Sequence, residues 1–86
     1  MGSYKLLIRA SAADELGGVA RKDLRRIIER IQGLSEEPRP RGREKLSAQE
    51  RYRVRQGDYR VVYAIDDDNR TVEIVKIGHR SEVYRR

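Results

Sequence analysis

The stretch Arg51-Tyr52-Arg53-Val54-Arg55-Gln56-Gly57-Asp58-Tyr59-Arg60-Val61-Val62-Tyr63 decides the fold. Its first part alternates strictly. Arg51, Arg53 and Arg55 fall on one face of an extended strand, and Tyr52 and Val54 fall on the other. The second part is an apolar run that carries one arginine, Arg60. Together they predict a β-hairpin. With Gln56-Gly57 as a two-residue turn, Arg55 pairs with Asp58, Val54 with Tyr59 and Arg53 with Arg60. A four-residue turn puts Arg55 opposite Arg60 instead. Arg53, Arg55 and Arg60 share a face in either register. Like charges directly opposite one another destabilise a sheet, so the cluster points to an anion held among them. The competing reading is a solvated basic hairpin without a ligand. Arg60 argues against it, because a position between Tyr59 and Val61-Val62 does not ordinarily face solvent.

Downstream, Asp66-Asp67-Asp68-Asn69 reads as a tight acidic turn rather than a cation site. Thr71 to Ile77 is apolar on both faces, as a strand inside a sheet should be. Upstream, Glu36 to Arg43 holds two prolines and a glycine and reads as a loop; Lys45-Leu46 begins a short strand or leads into the hairpin. Before the loop, Ala20, Leu24, Ile27, Ile28, Ile31 and Leu34 form one helical stripe, which predicts a helix from Val19 to Leu34. Its other face carries Arg21, Lys22, Arg25, Arg26, Glu29 and Arg30, read chiefly as solvated. Ser11, with Asp14 three residues on, predicts the cap of a short first helix that Gly17-Gly18 ends. Tyr4 to Arg9 reads as a first strand with Tyr4, Leu6 and Ile8 on one face. The order is strand, two helices, then three strands. That is an α+β domain spanning residues 1–86, with a helical hairpin on one face of a mostly antiparallel sheet.

The chain has 86 residues, 37% hydrophobic and 40% charged, with no Trp, Phe or Cys. The core must therefore come from aliphatic residues and tyrosines, and it is thin enough that a partner would add stability. Without cysteine there are no disulfides, thiolate metal sites or cysteine nucleophile. A lone histidine also argues against a metal, and no cofactor is expected. The longest apolar run, Val61 to Ile65, is far too short to span a membrane. No secretory leader pattern is seen, so the expected location is the cytoplasm. The net charge is +6, and residues 39–60 hold eight basic against three acidic side chains. A concentrated basic face is the footprint of a nucleic-acid binder. Arg43, Lys45 and Arg51 are expected to contact an RNA backbone there; an acidic protein partner and plain solubility charge are the alternatives.

Tyr52-Arg53-Val54-Arg55, Gly57-Asp58-Tyr59-Arg60-Val61-Val62-Tyr63, Gly78-His79-Arg80 and Ser81-Glu82-Val83-Tyr84 resemble the RelE/ParE superfamily of bacterial and archaeal toxins. The resemblance covers essentially the whole chain. It implies the RelE-like fold, β-α-α-β-β-β, with the first strand beside the last. It also implies a cognate antitoxin, with an acidic or amphipathic helical segment, that wraps and neutralises the toxin. RelE-like members cleave mRNA, usually in the ribosomal A site, with basic residues on the hairpin strands and a C-terminal arginine and tyrosine. By position these are Arg53, Arg55, Arg60, Arg80 and Tyr84. ParE-like members act on DNA gyrase and tend to lack this set. The alternatives to a ribonuclease are thus a gyrase inhibitor or a degenerate member that only binds.

The chemistry suits the residues. RNA is cut when its own 2′-OH attacks the adjacent phosphate, which requires positioning, stabilisation of a phosphorane and movement of two protons. Guanidiniums bind phosphate bidentately, and an aromatic ring such as that of Tyr84 stacks on any base. Arg53 and Arg55 stand where a well-known branch of the superfamily has lysines. Arginine keeps its proton, so both are charge clamps and poor bases. His79 is the one side chain that titrates naturally near neutrality. It is either the base or the acid of the reaction, or it only shapes the end of the last strand.

Overall fold

The computed structural model of the chain describes residues 3–46 and 50–79. Its elements are β1 (Lys5–Ile8), α1 (Ala10–Gly17), α2 (Arg21–Glu36), β2 (Glu44–Lys45), β3 (Arg51–Gln56), β4 (Tyr59–Asp66) and β5 (Thr71–His79). They build one five-stranded sheet in the order β1-β5-β4-β3-β2. β1 runs parallel to β5, and every other neighbouring pair is antiparallel. The first strand thus lies beside the last, and β5 is interior, as expected.

Strand alternation splits the sheet into two unlike faces. Tyr52 and Val54 from β3, Val61, Tyr63 and Ile65 from β4, and Val72, Ile74 and Ile77 from β5 form the apolar face. Ile27, Ile31 and Leu34 of α2 and Ala12 of α1 pack in the same cluster, with Leu24 and Leu16 partly buried beside them. Burying each of the larger aliphatic side chains stabilises the fold by about 1.5–3 kcal/mol. The Tyr52 and Tyr63 rings stack with centroids 5.8 Å apart, filling the centre in place of the missing Phe and Trp.

Four local expectations are corrected. The hairpin turn is Gly57-Asp58, not Gln56-Gly57; of the two registers expected, the one with Arg55 opposite Arg60 is found, with Val54 paired to Val61 and Arg53 to Val62. Gly57 has φ +61° and Asp58 does not share the positive φ. This is the type II′ arrangement, which wants glycine at the first central position and matches the twist of the flanking strands. Ser11 does not cap α1; it lies inside the helix, and Arg9, in extended conformation, takes the N-cap position without a side-chain hydrogen bond. The second helix starts and ends two residues later than the stripe suggested. Ile28, on the shoulder of that stripe, is only half-buried, and Ala20 is exposed.

The loop between α2 and β2 is tied to the sheet by polar contacts. The Tyr63 hydroxyl donates to the Pro38 carbonyl at 2.7 Å, and burial pushes that phenol up to about 12, so it stays a donor. Arg39 is a node. Its Nη2 reaches Glu50 Oε1 at 2.7 Å and Asp67 Oδ2 at 2.9 Å, and its guanidinium lies 5.4 Å from the Tyr52 ring centroid. Tyr52 and Tyr4 donate their hydroxyls to Glu50 and Asp67 at 2.8 and 2.7 Å. The acidic turn therefore serves as an anchor: Asp67 holds Arg39, while Asp66 accepts from the Asn69 backbone and side chain.

Ile27 has no exposed surface, so Ile27→Ala should cost about 2–5 kcal/mol in urea unfolding. A loss below about 1 kcal/mol would show that α2 is not packed on the sheet as described. The Arg39 node makes a second prediction. Hydrogen bonds from Arg39, then Tyr52 and Lys45, hold the Glu50 carboxyl well below the usual range, at about 2. Arg39 and Tyr4 likewise lower Asp67. Folded values below unfolded ones mean that this stabilisation is complete above the ordinary carboxylate pKa and is lost as pH falls towards 2. Urea midpoints should therefore drop as the pH is lowered from about 5 to about 2. Arg39→Ala should be less stable near neutrality and converge on the wild type in acid. Parallel curves would remove the node from the account.

Candidate active site

The face of the sheet turned away from the helices is polar. β3 presents Arg51, Arg53 and Arg55; β4 presents Arg60, Val62 and Ala64; β5 presents Lys76 and Gly78. The structure thus brings Arg53, Arg55 and Arg60 onto one face, with Arg55 directly opposite Arg60. Arg60 is the one buried charged residue among those described, at 5% exposure. Its Nη1 donates to the carbonyls of Gly57 and Tyr59 at 3.4 and 3.2 Å, so the turn that ends the hairpin also supports the guanidinium.

Arg53 is held differently. Its Nε and Nη2 both donate to Glu44 Oε1, at 3.2 and 2.6 Å. The Arg53 side chain is 13% exposed and that of Glu44 60%. The pairing follows from register, since Glu44 of β2 lies opposite Arg53 of β3. Gly42, Glu44, Arg53, Val54, Arg55 and Arg60 line a cleft of about 60 Å³. A cleft this small suits a phosphate group rather than a whole nucleotide. Three guanidiniums aimed at one small cleft can clamp an anion and stabilise charge that grows on it.

The other expected residues are distributed as follows. Arg51 shares the arginine face at half-burial. Lys45 pairs with Tyr52 and so lies on the other face, where its Nζ meets Glu50 at 3.3 Å. Arg43 is exposed on the approach to β2. His79 pairs with Tyr59 across the strands and meets its ring edge-on at 5.6 Å, on the helix side of the sheet. It is therefore not grouped with the arginine cleft. Arg80 and Tyr84 lie outside the described residues.

Sequence reasoning missed Glu44. In the sequence it is one acid between Arg43 and Lys45. Its importance comes from a two-residue strand whose pairing with β3 no periodicity reveals. Among the described residues, no group of three or more His, Asp or Glu side chains is placed to hold a metal ion. No described helix is long and apolar enough to cross a membrane.

Comparison with known proteins agrees with this architecture. A sequence model of the ParE toxin of the type II toxin–antitoxin system parDE matches residues 4–84. Toxin RelE of Mycobacterium tuberculosis is 39% identical over 84 residues, covering 95% of this chain and 87% of that protein. The crystal structure of the toxin–antitoxin complex RelBE2 from the same organism contains a chain that superposes with a TM-score of 0.80. The two are 30% identical, with 92% and 93% of the respective chains covered. The archaeal RelE–RelB complex of Pyrococcus horikoshii gives a TM-score of 0.79 at 27% identity, covering 91% and 96%. A match over nearly the whole length, in both sequence and fold, places the chain in the ParE toxin family of type II toxin–antitoxin systems, on the RelE-like side of the RelE/ParE superfamily.

Proposed function

We propose that this toxin is an endoribonuclease that cuts translated mRNA, in the cytoplasm and on the ribosome, and that a cognate RelB-type antitoxin neutralises it. The observation that carries the reading is the cleft in which Arg53, Arg55 and Arg60 converge beside the Glu44 carboxylate. In the reaction the 2′-OH loses its proton, a 2′-O–P bond forms and the P–O5′ bond breaks. The 5′ oxygen takes a proton, leaving a 2′,3′-cyclic phosphate and a free 5′-OH.

Arg55 and Arg60 bind the non-bridging oxygens and stabilise the phosphorane; Arg53 binds phosphate and orients Glu44. Arginine cannot accept the 2′-OH proton. Among the described residues lining the cleft, Glu44 alone carries a carboxylate, so we assign the acceptor role to it. His79 lies on the helix side of the sheet and is not grouped with the cleft, so the proton for the leaving oxygen is assigned to solvent water. Arg80 is kept as a further phosphate contact, Tyr84 as the base-stacking residue, and Arg43 and Arg51 as backbone contacts. Lys45, engaged with Glu50, is the weakest of the backbone contacts.

A second reading, inhibition of DNA gyrase, is favoured by the description of the matching family as ParE. Primer extension on cellular mRNA after induction separates them. Discrete cuts within reading frames support the ribonuclease; DNA breaks with intact mRNA support the gyrase reading.

For the residues, Arg60→Ala should slow single-turnover cleavage by about 10²–10³. Glu44→Gln should slow it by about 10²–10⁴ while binding RNA at least as tightly, because a negative charge leaves the cleft. Cleavage by Glu44→Gln within about threefold of the wild type would remove Glu44 as the acceptor. His79→Ala and His79→Asn, assayed alongside, should cut within about threefold of the wild type; a larger loss in both would bring His79 into the mechanism.

A further inference from the structure

We infer that Glu15 is a positioning residue for the arginine face: it closes the open edge of β5 and fixes the strand end that stands beside Arg60. As a statement about catalysis this rests on the ribonuclease reading above. β1 pairs with β5 only from Lys5–Thr71 to Ile8–Ile74. The Arg9 N–H donates to the Ile74 carbonyl at 3.0 Å, and the chain then turns into α1. Past Ile74 that edge of β5 has no neighbouring strand among the described residues. An unpaired edge N–H is a liability in any sheet, and a partly buried one lacks water to satisfy it.

Glu15 of α1 supplies the missing acceptor. Its Oε1 accepts the Ile77 N–H at 2.8 Å, and its Oε2 binds Lys76 Nζ at 2.8 Å. One carboxylate therefore holds two consecutive residues. The place is a sensitive one. Val62 pairs with Lys76 but Tyr63 with Ile74, so Val75 is an extra residue in β5. Such a bulge disrupts the ladder locally, and beyond it, among the described residues, β4 is the one strand that pairs with β5. Gly78, the next residue, pairs with Arg60, and His79 pairs with Tyr59. The Glu15 clamp is thus one peptide away from the partner of the buried guanidinium. It acts on the cleft through β5, not by touching substrate.

The test compares Glu15→Ala, Glu15→Gln and Leu24→Ala. The last trims a partly buried α2 residue packed against the core, as a matched loss of stability. At conditions where all are folded, Glu15→Ala should lower the cleavage rate about tenfold or more with little change in KM, as misplaced groups do. Glu15→Gln, which keeps an acceptor for Ile77, should recover most of the rate. Leu24→Ala should cut normally. Two readouts do not need activity: amide exchange at Ile77 and Gly78 should speed up in Glu15→Ala, and the Arg60 side-chain NMR signal should shift. Wild-type rate with unchanged exchange in Glu15→Ala overturns the inference, as does an equal loss in Leu24→Ala. If the wild type cuts no RNA, the ribonuclease reading falls. Exchange and the Arg60 signal then decide alone whether Glu15 positions the face.

Discussion

The structure depends on one sheet having two incompatible faces. One face must be apolar to hold the helices; the other carries Arg53, Arg55 and the buried Arg60. Strand alternation has period two, so a slip of one residue between β3 and β4 would turn arginines into the core and Tyr52 and Val54 out of it. The register is therefore set by the core, and the core places the arginines. The unfavourable Arg55–Arg60 pairing is tolerated because apolar burial on the reverse side fixes it.

The rims of the sheet are held by charge rather than by apolar contact. At one end Arg39 gathers the α2–β2 loop, Glu50 and the β4–β5 turn. At an open edge Glu15 gathers β5 onto α1. On the arginine face Glu44 gathers β2 onto β3. Each is an acid–base contact between segments far apart or weakly paired, in a chain whose core has only tyrosine for aromatic bulk. Such contacts contribute little individually when exposed. Their effect here is geometric: they fix loops and strand ends that the core does not reach.

That division explains what the sequence made legible. The alternation of Arg51 to Arg55 against Tyr52 and Val54 is a local pattern, and it was enough to find the arginine face. The stripe from Leu24 to Leu34 was enough to find α2. The sequence left two hairpin registers open; the one with Arg55 opposite Arg60 is found, and choosing the Gly57-Asp58 turn that makes it needs the backbone angle of Gly57. Ser11 misled because a good capping residue has no effect when the chain enters the helix two residues earlier. Ile28 and Ile27 are equally apolar, and only the docking angle of α2 separates the buried one from its neighbour. Glu44 and Glu15 left no local trace at all. Each acquires its role from a partner 9 or more than 60 residues away.

The identity of the basic residues constrains the proposed chemistry further. A face built with lysines would allow one of them to lose its proton and act as a base when its pKa is depressed. Here the clamp residues are arginines, which stay charged at any working pH. Charge stabilisation and proton transfer must then fall to different side chains. On the proposed reading the Glu44 carboxylate, bound through one oxygen to two nitrogens of Arg53, takes the second task. On that reading, having arginine rather than lysine at positions 53 and 55 of β3 is what makes an acid on the two-residue strand β2 necessary.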